Sequence, residues 1–260
     1  MMNIPVWLAA IAALLASSQA GAGPASLKTR SVNEIGLSLS SYQYHEPGLM
    51  SLSGFKMGLD LGITKSTQEG RFIRGDLRLA GGTVDYNSNG TGSANGEPDL
   101  YVETRGLIGT DRMLSGAVLS PYIGLGYRYL YNDARGISSS GAAGYRRESN
   151  YYYLPIGAIY RVALHDQARW ISTLEYDYLL AGKQVSHLSD VPGYSDITNH
   201  QNSGYGLKLG IMYQQDKWMV GPCVNYWNIS ESEVVYAGNT GWVEPANNTI
   251  EFGLKFAQQF

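Results

Sequence analysis

Apolar and polar residues change places at every second position through most of this chain. Phe55, Met57, Leu59, Leu61 and Ile63 alternate with Lys56, Gly58, Asp60, Gly62 and Thr64. Successive side chains of a β-strand point to opposite faces, so this segment has one apolar face and one polar or small face. The same period returns along the sequence. Ile35, Leu37 and Leu39 form such a face, as do Leu77 and Leu79 against Arg74, Asp76 and Arg78. Val102 and Ile108 oppose Glu103 and Arg105. Ile123, Leu125 and Tyr127 oppose Gly124, Gly126 and Arg128. Leu154, Ile156 and Ala158 oppose Tyr153, Gly157 and Arg161. Leu174, Tyr176, Tyr178 and Leu180 oppose Glu175 and Asp177. Tyr205, Leu207, Leu209 and Ile211 oppose Gly206, Lys208 and Gly210. Val220, Val224 and Tyr226 oppose Gly221, Cys223 and Asn225. Ile250, Phe252, Leu254 and Phe256 oppose Glu251, Gly253 and Lys255.

These segments predict ten strands. Soluble sheets alternate too, but their strands usually run five or six residues, about half the length of several segments here. The polar face also carries repeated Lys, Arg, Asp and Glu. Both features fit an all-β transmembrane barrel, antiparallel and up-and-down, with lipid outside and a polar lumen. Closure follows because hydrocarbon tolerates no unpaired strand edge. An eight-strand barrel is the alternative, should the first and fourth segments belong to loops. The connections support the barrel independently. Residues 66–70, 110–120, 165–168 and 214–217 read as short turns. Residues 44–53, 83–97, 132–149, 186–201 and 229–245 read as long loops rich in Gly, Ser and Asn. Short periplasmic turns alternating with long extracellular loops are the pattern of outer-membrane barrels. Tyr127, Tyr129, Tyr131, Tyr151, Tyr152, Tyr213, Trp170 and Trp218 fall toward strand ends and read as interfacial girdles.

Composition narrows the reading. Charged residues are 16% of the chain, with 32 Gly, 20 Tyr and a single Cys, Cys223. A net charge of −3 with no basic run argues against nucleic-acid binding. Mean hydropathy is −0.19, too polar for a helical membrane protein. Residues 1–22 stand apart. An apolar run from Val6 to Ala16 precedes small residues, the pattern of a cleaved signal peptide, although no Lys or Arg precedes the run. The mature barrel is then expected over 23–260. No Cys directly follows the run, so no lipoprotein anchor is expected.

The chain ends Phe252, Leu254, Phe256 and, last, Phe260. This resembles the C-terminal signature that the outer-membrane assembly machinery recognises, with Gln258 as a departure. The segment Pro121-Tyr122-Ile123-Gly124-Leu125-Gly126-Tyr127 is similar to one common in small outer-membrane barrels of the opacity-protein and porin-like superfamily. The resemblance implies the bacterial outer membrane, contact with lipid and lipopolysaccharide, and assembly by that machinery. It implies no particular activity.

Strand parity turns fifteen charged residues inward: Lys56, Asp60, Arg74, Asp76, Arg78, Glu103, Arg105, Arg128, Arg161, Glu175, Asp177, Lys183, Lys208, Glu251 and Lys255. A ten-strand barrel is just wider than one whose interior side chains fill. An interior salt-bridge network is therefore expected, which leaves a closed, non-enzymatic surface or porin-like protein. A narrow, weakly anion-preferring pore is one alternative. A surface hydrolase, of lipid A deacylase or omptin-like kind, is another. For the hydrolase, His45, His187 and His200 fall in extracellular loops, and His165 beside Asp166 falls in a periplasmic turn. His187 with Ser186, Ser189 and Asp190 has the residue types of a base and nucleophile. No metal-ligand spacing or phosphate loop is present, so no cofactor or metal is expected. The long loops leave room for a surface ligand.

Overall fold

A computed structural model describes residues 27–164 and 168–260. The expected signal peptide, His165 and Asp166 lie outside the described residues. Within them the chain is all-β. Ten strands form the wall: β1 (Val32–Glu46), β2 (Met50–Ser66), β3 (Arg71–Ser88), β4 (Gly92–Thr110), β5 (Ala117–Asp133), β6 (Arg146–Ala163), β7 (Ala168–Ser186), β8 (Gly204–Gln215), β9 (Trp218–Ile229) and β10 (Asn247–Gln259). Each pairs antiparallel with its sequence neighbour, and β1 pairs with β10, which closes the barrel. Both segments on which the eight-strand alternative turned are full strands. At the seam, Asn33 and Phe260 exchange backbone hydrogen bonds of 2.9 and 3.0 Å.

The outer wall is apolar. Phe55 and Met57 are 69% and 73% exposed, and Leu37, Leu125, Leu174 and Phe252 also face outward. In water such a wall would be an exposed apolar patch of unusual size. In a bilayer it is the lipid contact. Aromatic pairs mark its two ends. Trp170–Tyr213 and Trp218–Phe256 lie by the short turns, and Tyr127–Tyr152 lies toward the other end.

About ten residues cross a membrane as a tilted strand, yet β3 and β4 run 18 and 19 residues. Their surplus stands beyond the end opposite the termini, the extracellular end by the rule of short periplasmic turns. This corrects part of the loop reading. Residues 44–53 and 83–97 are not open loops: the ladder continues through Tyr44–Leu52 and Tyr86–Ala94 to turns of three residues. Gly48 makes the first of those turns in the left-handed region, at φ 79°. Longer connections occur at 134–145, 187–203 and 230–246; the second pairs Ile197–His200 with the end of β7, and the third carries a small hairpin of Val235–Ala237 with Thr240–Trp242. Asn199 ties the last two together, its amide donating to Ser232 Oγ and to the Trp242 carbonyl at 3.1 and 3.2 Å.

At the periplasmic end, residues 27–31 cross the opening from β1 toward the opposite wall. Leu27 is buried against Val118 and Ala163, on β5 and β6. Thr29 donates to Asp111 from its amide and its hydroxyl at 2.7 and 2.8 Å.

Candidate functional site: the barrel interior and its extracellular mouth

Parity places the expected charges indoors, with one exception. Lys183 is exposed on the outer wall. Pairing along β6 jumps from Tyr153–Leu179 to Tyr152–Ala181, so Leu180 is an extra residue and every later β7 side chain changes face. Gln184 takes the inward place that alternation assigned to Lys183. Tyr151 corrects the girdle reading: it points inward and is buried.

In the lower half, charges join into one continuous network. Lys208 contacts Glu103, Glu175 (3.2 Å) and Asp177 (3.4 Å). Arg105 contacts Glu175 and reaches Asp76 at 3.0 Å. Asp76 holds Arg74 at 2.7 Å, and Arg74 faces Glu34 at 3.6 Å. Glu34 holds Lys255 at 3.1 Å, which reaches Asp60 at 3.8 Å. Arg78 closes the chain between Asp60 (3.9 Å) and Glu251 (2.7 Å). Tyr101, Tyr122 and Tyr153 donate phenolic hydrogen bonds of 2.7, 2.7 and 2.8 Å to Glu251, Glu175 and Glu103. A cavity of about 260 Å³ lies among these groups. Arg161 sits at its base, 2.7 Å from Ser120 Oγ and 4.0 Å from Asp111.

The upper half is built differently. Lys56 is 1% exposed and pairs with Asp99. Its ammonium lies 3.4 Å from the Tyr42 ring centre and 5.1 Å from that of Tyr101. The Arg128 guanidinium is held between the Tyr101 and Trp227 rings at 5.4 and 5.2 Å, and no carboxylate pairs with it among the described residues. Tyr153 meets Trp227 edge-on at 5.2 Å. Leu179, Ile229 and Gln201 are buried beside them. Cations and rings thus alternate from β1 to β6 across the lumen, a septum held by desolvated cation–π contacts. Glycine makes the space. A Cβ at Gly126 would lie 2.1 Å from the Tyr153 ring, and one at Gly206 2.8 Å from that of Trp227.

Above the septum the mouth opens into a vestibule of about 940 Å³, lined by strand extensions and by the three longer connections. Arg147 bridges Glu46 and Glu244 at 2.6 and 2.5 Å. Burial pushes the Glu244 carboxyl above its ordinary range, opposed by Arg147.

The histidine constellation does not assemble as the residue types allowed. His187 Nδ1 is 2.9 Å from Asp196 and Nε2 is 3.1 Å from Glu148. Asp190 instead holds Arg146, whose hydrogen bonds bring its carboxyl down to about 2. Asp196 is likewise held at about 2 by hydrogen bonds from Ser189 and His187. Glu148 alternates with the inward Arg147, so the cluster sits on the outside of the rim.

No protein-family model and no curated protein matches the sequence. Among solved structures, the chain is similar to the outer membrane protease OmpT from Escherichia coli. The TM-score is 0.55 at 10% identity, covering 90% of this chain and 98% of that one. The chain is an outer-membrane β-barrel. Looser likeness extends to the translocator domain of the autotransporter NalP from Neisseria meningitidis, with a TM-score of 0.40, 12% identity and coverage of 96% and 93%. At such identities the shared property is the fold, and what those proteins act on stays theirs. A closed antiparallel wall with a lipid-facing apolar belt is the architecture of the bacterial outer membrane.

Sequence reasoning missed several of the barrel's interior groups. Glu34 and Asp111 lie at strand ends, and Asp99 lies just past a stretch read as loop. Tyr42, Tyr101 and Trp227 had a visible signal: each holds an inward position, and Trp227 faces Gly206 on the neighbouring strand.

Proposed function

We propose a non-enzymatic surface protein whose lumen is sealed and whose work is done at its extracellular mouth. One observation carries this reading. The lower cavity and the vestibule share no lining residue. Between them lie Tyr42, Lys56, Tyr101, Tyr153, Leu179 and Trp227, each no more than 2% exposed. A path for hydrated ions needs a continuous wet lining, and this layer is dry. The inward Arg and Lys, the basis of an anion-preferring pore, are offset by carboxylates or covered by rings. The proposal places the barrel beside the opacity-protein and porin-like superfamily in kind, with the vestibule in the role of binding surface. In a liposome-swelling assay, vesicles carrying the refolded protein are expected to retain small sugars and chloride as well as protein-free vesicles. Rapid swelling would move the function back to a pore.

One contact favours a second reading, a surface hydrolase: His187 between Asp196 and Glu148 has the surroundings of a general base. Peptide or lipid A hydrolysis that vanishes in His187→Ala would establish it. The outward Phe252, Leu254, Phe256 and Phe260 serve the assembly machinery in this account. Deleting Phe260 is expected to lower the amount of heat-modifiable, folded barrel in outer membranes severalfold.

A further inference from the structure

The charges of the vestibule do not balance. Four carboxylates line it, Glu46, Glu97, Asp133 and Glu244, against two guanidinium groups, Arg135 and Arg147. Both guanidinium groups are engaged. Arg147 bridges Glu46 and Glu244, and Arg135 lies 2.6 Å from Asp133. Nothing is left for Glu97. Its residue is 7% exposed, and its one hydrogen bond comes from the neutral Asn132 amide at 3.5 Å. Among the described residues no cation lies within ion-pair distance of it. A buried carboxylate without a counter-charge is costly, and proteins seldom retain one without a partner. The same cavity offers an apolar wall from Leu49, Met50, Ile137, Trp242 and Val243. A pocket with an apolar wall and one buried carboxylate that no cation answers has the form of a small-ligand site.

We propose that the vestibule binds an organic cation, a primary ammonium or guanidinium head on an apolar stem, with the head on Glu97 and the stem along the Trp242 wall. A free amine and the Lys or Arg side chain of a basic peptide share this chemistry. An anion is repelled by the surplus carboxylates, and a hydrated metal ion gains nothing from the apolar wall. The inference rests on the reading of the mouth as the working surface. It does not rest on whether the barrel conducts, which is measured separately.

The test is calorimetric titration of the refolded full-length barrel with pentylammonium, pentanol and pentanoate, each corrected against protein-free micelles. Pentylammonium is expected to saturate one site, with pentanol and pentanoate at least tenfold weaker. Glu97→Gln is expected to weaken pentylammonium at least tenfold, to leave pentanol unchanged and to raise the unfolding midpoint of the unliganded barrel. Trp242→Ala is expected to weaken pentylammonium more than methylammonium. A blocked Ala-Lys-Ala peptide binding tighter than pentylammonium assigns the head to a peptide side chain, and the reverse assigns it to a free amine. The proposal is overturned if pentanol binds as well as pentylammonium, or if folded Glu97→Gln, checked by heat-modifiable mobility, binds it as the parent does. Absence of binding in a barrel that does not conduct removes the ligand and spares the sealed lumen.

Discussion

The two halves of the interior hold their charges by different means. Below, ion pairs are redundant: Glu34 has both Arg74 and Lys255, and Asp60 has both Arg78 and Lys255. Above, Lys56 has a single carboxylate, Asp99, and is otherwise enclosed by rings. The lower half keeps a cavity, so its charges retain some polar surroundings. The upper half is dry and depends on each partner being present. A charge network tolerates the loss of a cation whose carboxylates each keep a second one, as Glu34 and Asp60 do without Lys255, and fails where the lost partner was the only one.

The contrast is sharpest in single substitutions. Asp99→Ala strands Lys56 in a dry site and should cost about 3–5 kcal/mol, read from guanidinium unfolding in detergent. An effect under about 1 kcal/mol would mean that water reaches Lys56. Next in size is Gly126→Ala. Its methyl would collide with Tyr153, which Trp227 and Glu103 hold in place, so about 1–3 kcal/mol should be lost. Lys255→Met in the lower half leaves Glu34 and Asp60 with their arginines. It should cost only about 1 kcal/mol, and a loss equal to that of Asp99→Ala would erase the distinction.

Sequence alternation made much of this legible, because lipid outside and polar lumen inside impose a period of two on every strand. It placed Lys56, Arg105 and Glu175 on the inner face without any knowledge of register. It could not say that Arg105 meets Glu175, since that contact joins β4 to β7 across the lumen. It failed at Lys183 because the extra residue at Leu180 has no proline or glycine to announce it. The septum stayed hidden for a related reason. Tyr and Trp serve equally well at the membrane interface and as crossbars, so Tyr151 read as girdle. Only the small residue opposite, such as Gly206 facing Trp227, distinguishes the two uses.

The smallest expected effect lies outside both halves, on the rim. Arg146 lowers the Asp190 carboxyl to about 2, against about 4 in an unfolded chain. The contact therefore stabilises the 187–203 connection above pH 4 and is lost as pH falls through 2. The pair lies at the surface, so Asp190→Asn should leave the unfolding midpoint of the barrel unchanged. Hydrogen exchange is expected to quicken in that connection alone, with the interior unmoved. Exchange that quickens around Lys56 as well would tie the rim to the septum.

The sealed lumen is tested most directly by single-channel recording of the refolded barrel in a planar bilayer, beside Trp227→Ala. The parent is expected to show no discrete openings at any voltage the bilayer withstands. Trp227→Ala, which removes the ring that covers Arg128 and supports Tyr153, is expected to show small, anion-preferring openings. Reproducible openings in the parent would contradict the account.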